Sequence, residues 1–134
     1  MSLRLVSRVL FGVLFVAGGL NHFRDPAFYL PMMPDALPAH GALVQLSGVT
    51  EVVAGALLFV PKGAIHAWGA RFVVLHLVVF LYVHWFMALH PERYPDIPVA
   101  ALYIRIVVQL VFIAWSGWLS MPQRPSVVTP AQAS

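Results

Sequence analysis

Five polar side chains lie in stretches of sequence that are otherwise apolar, and they are the residues that could do chemistry: His22, Glu51, His84, Arg105 and Gln109. Ionisable groups in apolar stretches are costly, so they mark a functional site or a pair inside the protein. A guanidinium keeps its charge and needs an anion, and Glu51 is the only acid within these stretches. We therefore predict an ion pair between Glu51 and Arg105, with Gln109 as a further hydrogen-bonding partner.

Three kinds of chemistry are open to this cluster. His22, His84 and Arg105 could hydrogen-bond the headgroup of a quinone. Glu51 could instead titrate in a conduit for protons or a small solute. The pair of charges could also be a clasp that only fixes the structure, and the residues alone name no catalytic group.

A metal site is not predicted. Within the apolar stretches no histidine has a second histidine or a glutamate at ligand spacing, and the neighbouring Arg105 would repel a cation. The chain has no cysteine, which excludes thiolate sites and disulfides. Asn21, next to His22, and His76, two helical turns before His84, are secondary candidates for the polar cluster.

The composition places these residues in a membrane. Of 134 residues, 60% are hydrophobic and 10% are charged, against about 45–50% and about 25% in a soluble domain. A chain this short cannot bury so much apolar surface within itself. Four stretches reach the length of about 20 residues that a spanning helix needs: residues 5–23, 42–60, 64–90 and 99–119. The predicted fold is all-α, an antiparallel bundle of four transmembrane helices in one domain, residues 1–122, followed by a flexible tail, residues 123–134.

The basic residues favour one orientation of this bundle. Arg4, Arg8, Lys62 and Arg124 flank the stretches on one side, which the positive-inside rule assigns to the cytoplasm, so both termini are predicted to be cytoplasmic. The eight basic residues are scattered singly, which excludes nucleic acid as a partner. The lipid bilayer is the predicted partner, and a homo-oligomer stays open. The proline-rich segment between the first two stretches, residues 24–40, is predicted to cap the outer mouth of the bundle.

Small residues predict how the polar groups meet. Glycines recur every seven residues along the second stretch: Gly41, Gly48 and Gly55. Glu51 follows Gly48 by three residues, and on the first stretch Gly12, Gly19 and His22 keep a similar spacing. Small residues at helical spacing let helices approach closely in lipid. We therefore expect a buried polar cluster in the outer half of the bundle.

Several segments, taken in order, resemble the small membrane proteins of the DoxX family. These segments are Ala17–Phe23, Pro26–Leu30 with Pro34, Leu46–Val52, Leu58–Pro61, Trp68–Gly69, Met87–His90, and the Arg105-x-x-x-Gln109 pair with Trp115. The resemblance covers about residues 4–119. Two departures stand out, because this chain has Leu81 and His84 where the family has a proline and an asparagine, and it lacks the proline between Arg105 and Gln109.

The resemblance implies a multi-pass protein of the bacterial cytoplasmic (inner) membrane that is associated with redox and sulfur metabolism. Family members include quinone-linked thiosulfate-oxidising subunits and partners of oxidative-stress complexes. The resemblance therefore implies a quinone as the candidate cofactor and a membrane redox protein as the candidate partner. It implies no defined catalytic activity. The expected function is that of a redox- or quinone-linked accessory protein, and a conduit or a purely structural module are the alternatives.

Overall fold

The computed structural model describes residues 2–61 and 64–122, and these residues form helices with short connections. The α-helices are α1 (Leu3–Arg24), α2 (Pro26–Tyr29), α3 (His40–Leu58), α4 (Ala64–Leu89) and α5 (Val99–Ser120), with single 3₁₀ turns at Leu30–Met32 and Pro91–Arg93. Strands are absent from this part of the chain. The tail predicted over residues 123–134 lies outside the described residues.

The prediction of four long apolar helices is confirmed. α1, α3, α4 and α5 are each long and apolar enough to cross a membrane. Their ends differ from the predicted stretches by at most two residues. Most of each helix surface remains exposed within the single chain, since only 22–33% of the residues in each apolar window are buried. Apolar side chains that face outward in this number belong in lipid, and the chain is a membrane protein.

Local signals explain where the helices begin and end. The Ser2 hydroxyl accepts a hydrogen bond from the Leu5 amide and caps the start of α1. The Asp25 carboxylate accepts one from the Phe28 amide, and Pro26 stands at the first position of α2, which suits the fixed φ of proline. Pro61 follows the end of α3, and Pro98 precedes the start of α5. These residues mark the points at which one helix ends and the next begins.

Glycines hold α1 and α3 together. A methyl group added at Gly19 would lie 2.7 Å from the Gly48 carbonyl oxygen, and one added at Gly55 would lie 2.8 Å from the Gly12 carbonyl oxygen. The glycine nearer the end of α1 therefore faces the glycine nearer the start of α3, so the two helices run antiparallel. Such contact is closer than any side chain permits. Gly41, predicted to share this face, has no atom within 4 Å of an added methyl group and takes no part.

Two apolar clusters fill the bundle at different levels. One lies between α1, α3, α4 and α5 and includes Phe11, Leu58 and Val73. The other includes Met87, Leu102 and Tyr94 and lies between α4, α5 and the loop that joins them. We call the end of the bundle that carries residues 25–39 and 90–98 the cap end, and the opposite end, where α1 starts and α5 stops, the terminal end. The polar residues of interest lie towards the cap end.

Candidate functional site

A cavity of about 200 Å³ lies at the cap end. Three of the predicted site residues line it, each from a different long helix: His22 on α1, His84 on α4 and Arg105 on α5. The other lining residues are mainly apolar or aromatic: Phe28, Tyr29, Met32, Met33, Val44, Ser47, Phe80 and Val83. The structure thus brings three candidates from distant parts of the sequence to one cavity.

The α1–α3 contact sets the position of His22. His22 follows Gly19 by one helical turn, and Glu51 follows Gly48 by one turn, so the glycine contact carries both side chains into the same interface. His22 Nε2 lies 2.9 Å from Glu51 Oε1, and their side chains are only 6% and 8% exposed. The approach is close but poorly directed, because Oε1 has no partner with hydrogen-bond geometry. Glu51 and His22 therefore form a buried pair directly behind the cavity wall.

The predicted ion pair between Glu51 and Arg105 is wrong. The Arg105 guanidinium instead lies against the thioether of Met87, with Nη1 4.0 Å from Sδ. The order of the helices explains the error, because α3 packs against α1 and α4 whereas α5 packs mainly against α4. Among the described residues, Arg105 has no carboxylate partner, since the two ion pairs there are His22–Glu51 and Asp35–Arg93.

Gln109 is also not part of the cluster. Its Nε2 donates to the Leu77 carbonyl oxygen at 2.7 Å, in a buried contact that ties α5 to α4. His76 lies away from the cavity as well: its Nε2 is 2.7 Å from the Thr50 hydroxyl, and its Nδ1 is 2.7 Å from the Phe72 carbonyl oxygen. Both side chains have partners within the bundle and join helices.

His22 and His84 each keep a ring nitrogen without a partner. In the described part of the chain, His22 Nδ1 and His84 Nδ1 are buried side-chain atoms that make no hydrogen bond. Buried polar atoms without partners are rare in proteins and call for an explanation at each position. Two such atoms belong to residues that line one cavity, and among residues 2–61 and 64–122 the side chain of Arg105, on the same cavity, makes only a weak contact to sulfur.

The proline-rich segment contributes the aromatic wall of the cavity. Tyr29 stacks on the His22 ring with the ring centres 3.7 Å apart and the planes 17° from parallel. Asn21 donates to the Tyr29 hydroxyl at 3.0 Å, so this secondary candidate positions the stacked ring. The sequence singled out the segment as a cap, but it gave no signal that one tyrosine would cover His22.

Two contacts fasten this segment to the loop between α4 and α5. Arg93 donates to both Asp35 carboxylate oxygens, at 2.7 and 2.9 Å, and the Tyr94 hydroxyl donates to the Pro31 carbonyl oxygen at 3.0 Å. The hydrogen bond from Arg93, with its charge, holds the pKa of Asp35 below its usual value. Burial raises the pKa of Tyr94, so its hydroxyl stays a donor at alkaline pH. Sequence reasoning missed the Asp35–Arg93 ion pair, because the two residues are 58 positions apart in the chain.

The site can offer hydrogen bonds and a charge to a ring-sized molecule. An apolar cavity of about 150 Å³ is known to hold one benzene molecule, so a cavity of about 200 Å³ has room for one six-membered ring with small substituents. The guanidinium carries five N–H donors, and an imidazole can donate or accept. In the part of the chain that the structure describes, no three metal-ligating side chains come together. The geometry suits an uncharged or anionic organic ring with acceptor oxygens.

Comparisons with curated proteins and with solved structures found no match. A comparison with protein-family models gave a match that runs from the third turn of α1 through the last residue of α5. The matching model is described as Domain of unknown function (DUF8561) and spans residues 11–120, so the chain belongs to this family.

Proposed function

We propose that this protein binds the headgroup of a lipid-soluble quinone in the cap-end cavity and serves as a redox-linked accessory protein of a bacterial cytoplasmic membrane. The observation that carries the proposal is the convergence of His22, His84 and Arg105 on one mainly apolar cavity. The resemblance to the DoxX family supports a redox ligand over other ring compounds. In this proposal both termini are cytoplasmic, and the cap end faces the other side.

The chemistry of a quinone fits the donors that the cavity offers. Its two carbonyl oxygens are acceptors at opposite edges of a flat ring, and a hydrogen bond to a charged donor contributes about 1.5–3 kcal/mol. Arg105 on α5 and His84 on α4 line the cavity from one packed helix pair. His22 lines it from α1, which belongs to the other packed pair, α1 and α3. The cavity volume matches the headgroup alone, so the apolar tail would remain in the surrounding lipid.

Binding of decylubiquinone to the purified protein in detergent tests this proposal. We expect Arg105→Leu to weaken the affinity about 10–150-fold, the loss of one charged hydrogen bond. The same substitution should raise the thermal stability of the unliganded protein, because it removes a part-buried charge that has no carboxylate partner. Arg71→Leu is the matched control, since Arg71 also lies on a long helix but stacks over Trp68 instead of lining the cavity.

Two outcomes would contradict quinone binding. The first is a wild-type protein that neither binds decylubiquinone nor carries a quinone when it is isolated from native membranes. The second is an Arg105→Leu variant that binds as well as the wild type. If Arg105→Leu instead lowers the stability of the unliganded protein, Arg105 has a structural role. That result would favour the alternative that the protein is a purely structural module.

A second candidate function is a conduit for protons, which the buried His22–Glu51 pair favours. A carboxylate and an imidazole can each take up and release a proton, and the 2.9 Å between Glu51 Oε1 and His22 Nε2 is short enough for a proton to pass between them. Proton flux into proteoliposomes should then fall in Glu51→Gln and persist in Gln109→Leu. Equal flux in the wild type and in Glu51→Gln would exclude this function.

A further inference from the structure

The terminal end carries a second cavity, of about 470 Å³, that the proposed quinone site does not use. Its lining includes Arg4 and Arg8 from α1 and His66 from the first turn of α4, beside the apolar side chains of Leu5 and Leu119. The volume lies within the range of about 300–1,000 Å³ that is typical of small-molecule sites. The presence of two positively charged guanidinium groups at one cavity therefore needs an explanation.

Carboxylate side chains do not neutralise these arginines. The chain has five acidic residues, and none of them lines the cavity: Asp25, Asp35, Glu51, Glu92 and Asp96. Four of them lie at the cap end, and Glu51 pairs with His22. The charge at the terminal end is therefore positive by sequence as well as by structure.

Each arginine uses only part of its donor set on the protein. Arg8 Nε donates to the Leu58 carbonyl oxygen at 3.0 Å, and Arg4 Nη1 donates to the Met121 carbonyl oxygen at 3.1 Å. These bonds hold the guanidinium groups at the ends of α3 and α5. Within residues 2–61 and 64–122, both terminal nitrogens of Arg8 make no further bond, and such a planar fork matches the oxygens of a phosphate.

From this geometry we infer that the terminal-end cavity binds the phosphate of an anionic membrane lipid, with Arg4 and Arg8 as its ligands. A phosphate group is the shared chemistry of a lipid headgroup and of free phosphate. The lipid is favoured because Leu5 and Leu119 offer an apolar surface next to the two charges. Basic pockets between transmembrane helices are a recurring way to hold such headgroups. This site is independent of the quinone proposal.

Quenching of tryptophan fluorescence by brominated lipids tests the inference on the full chain in detergent micelles. The Arg4 guanidinium lies 4.5 Å from the Trp118 ring, so Trp118 is the indole nearest to a phosphate held by Arg4 and can report on the acyl chains attached to it. The probes are brominated phosphatidylglycerol and brominated phosphatidylcholine with identical acyl chains. A basic residue near a membrane surface contributes roughly a fivefold preference for anionic lipid, so two give about 30-fold.

We expect that preference to fall to about fivefold in Arg4→Gln and in Arg8→Gln. Arg24→Gln is the matched control and should keep the wild-type preference, since Arg24 is exposed at the end of α1 that lies in the cap end. Helix content by circular dichroism checks that each variant folds. The comparison of the two lipids on the wild type decides the question even if a variant fails to fold.

Equal quenching by the two lipids in the wild-type protein would overturn the inference, as would an unchanged preference in both arginine variants. A competition with inorganic phosphate separates the two sources of the anion. Quenching that survives phosphate at the ionic strength of a chloride control supports a lipid ligand. Loss of quenching in phosphate but not in chloride shows that free phosphate competes for the same arginines. Phosphate binding by a wild-type protein that does not prefer phosphatidylglycerol would assign the cavity to free phosphate and refute a lipid site.

Discussion

Replacement of Gly19 by alanine should force α1 and α3 apart. The added methyl group would lie 2.7 Å from the Gly48 carbonyl oxygen and 2.8 Å from the Val52 amide nitrogen. Both atoms belong to the backbone of α3, so no side-chain rotation can relieve the contact. Ordinary contacts begin at 3.4 Å, and the two backbones must therefore separate by about 0.7 Å at this point.

The same separation should lengthen the His22–Glu51 contact, which lies one helical turn away. Its present distance is 2.9 Å, without the geometry of a hydrogen bond, and an added 0.7 Å gives about 3.6 Å, which weakens the interaction between the two groups. Overpacking of this kind costs about 1–3 kcal/mol. The better helix propensity of alanine offsets about 1 kcal/mol, so we expect a net loss of up to about 2 kcal/mol in the free energy of unfolding.

Equilibrium unfolding in mixed micelles, with helix content followed by circular dichroism, measures this loss. Gly117→Ala is the matched control, because an added methyl group there has no atom within 4 Å. It should leave the free energy of unfolding unchanged or raise it by up to about 1 kcal/mol. If the two variants unfold at the same denaturant concentration, the close glycine contact does not stabilise the bundle and the reasoning fails.

Three further predictions concern the cap and the bundle. The hydrogen bond and charge of Arg93 lower the pKa of Asp35 from 3.8, so the link between them is complete above that value and is lost as the pH falls through the lowered one. Protection of the amides of residues 26–37 from hydrogen exchange should drop in the same pH range. The Asp35→Asn variant should show low protection at every pH. Equal protection of the wild-type protein at about pH 6 and about pH 2 would contradict this prediction. Tyr94→Phe should lose about 0.5–1.5 kcal/mol of unfolding free energy, because its hydroxyl no longer donates to Pro31; an unchanged unfolding curve in mixed micelles would show that this bond is not stabilising. Gln109→Leu should lose only about 0.6 kcal/mol of unfolding free energy, the average for a hydrogen bond between membrane helices. A loss several times larger in the same assay would mean that Gln109 stabilises the bundle by more than its hydrogen bond to the Leu77 carbonyl.

The four long helices could be predicted from the sequence because lipid leaves few alternatives. A stretch of apolar residues that cannot be buried in a small chain has to become a helix in a membrane. Close packing of the glycine faces of α1 and α3 was also predictable from the spacing of their glycines. The spacing did not show that these two faces meet, which the contacts of Gly19 with Gly48 and of Gly12 with Gly55 establish. That contact places His22 and Glu51 side by side, and the sequence indicated both as members of one cluster.

The partners within the cluster could not be predicted, because spacing along a helix does not reveal which helices are neighbours. Glu51 and Arg105 were matched by charge alone, although α3 and α5 are not packed against each other. Gln109 shares a helix face with Arg105, yet its amide reaches the Leu77 backbone on α4. The stacking of Tyr29 on His22 depends on the path of a proline-rich segment, for which hydrophobic periodicity has no signal.

The corrected pairing strengthens the case for a ligand at the cap end. Had Glu51 met Arg105, each charge would have satisfied the other and the cavity between them would have lost its strongest donor. In the structure Glu51 is paired with His22, which lines the cap-end cavity from the α1–α3 side. Arg105 lines that cavity from the α4–α5 side. Glu51 and Arg105 therefore lie on different helix pairs, and His22 and Arg105 both line the cavity that we propose holds a ring with two acceptor oxygens. A guanidinium in such a place is costly without a partner, and a ligand that accepts its hydrogen bonds would remove that cost.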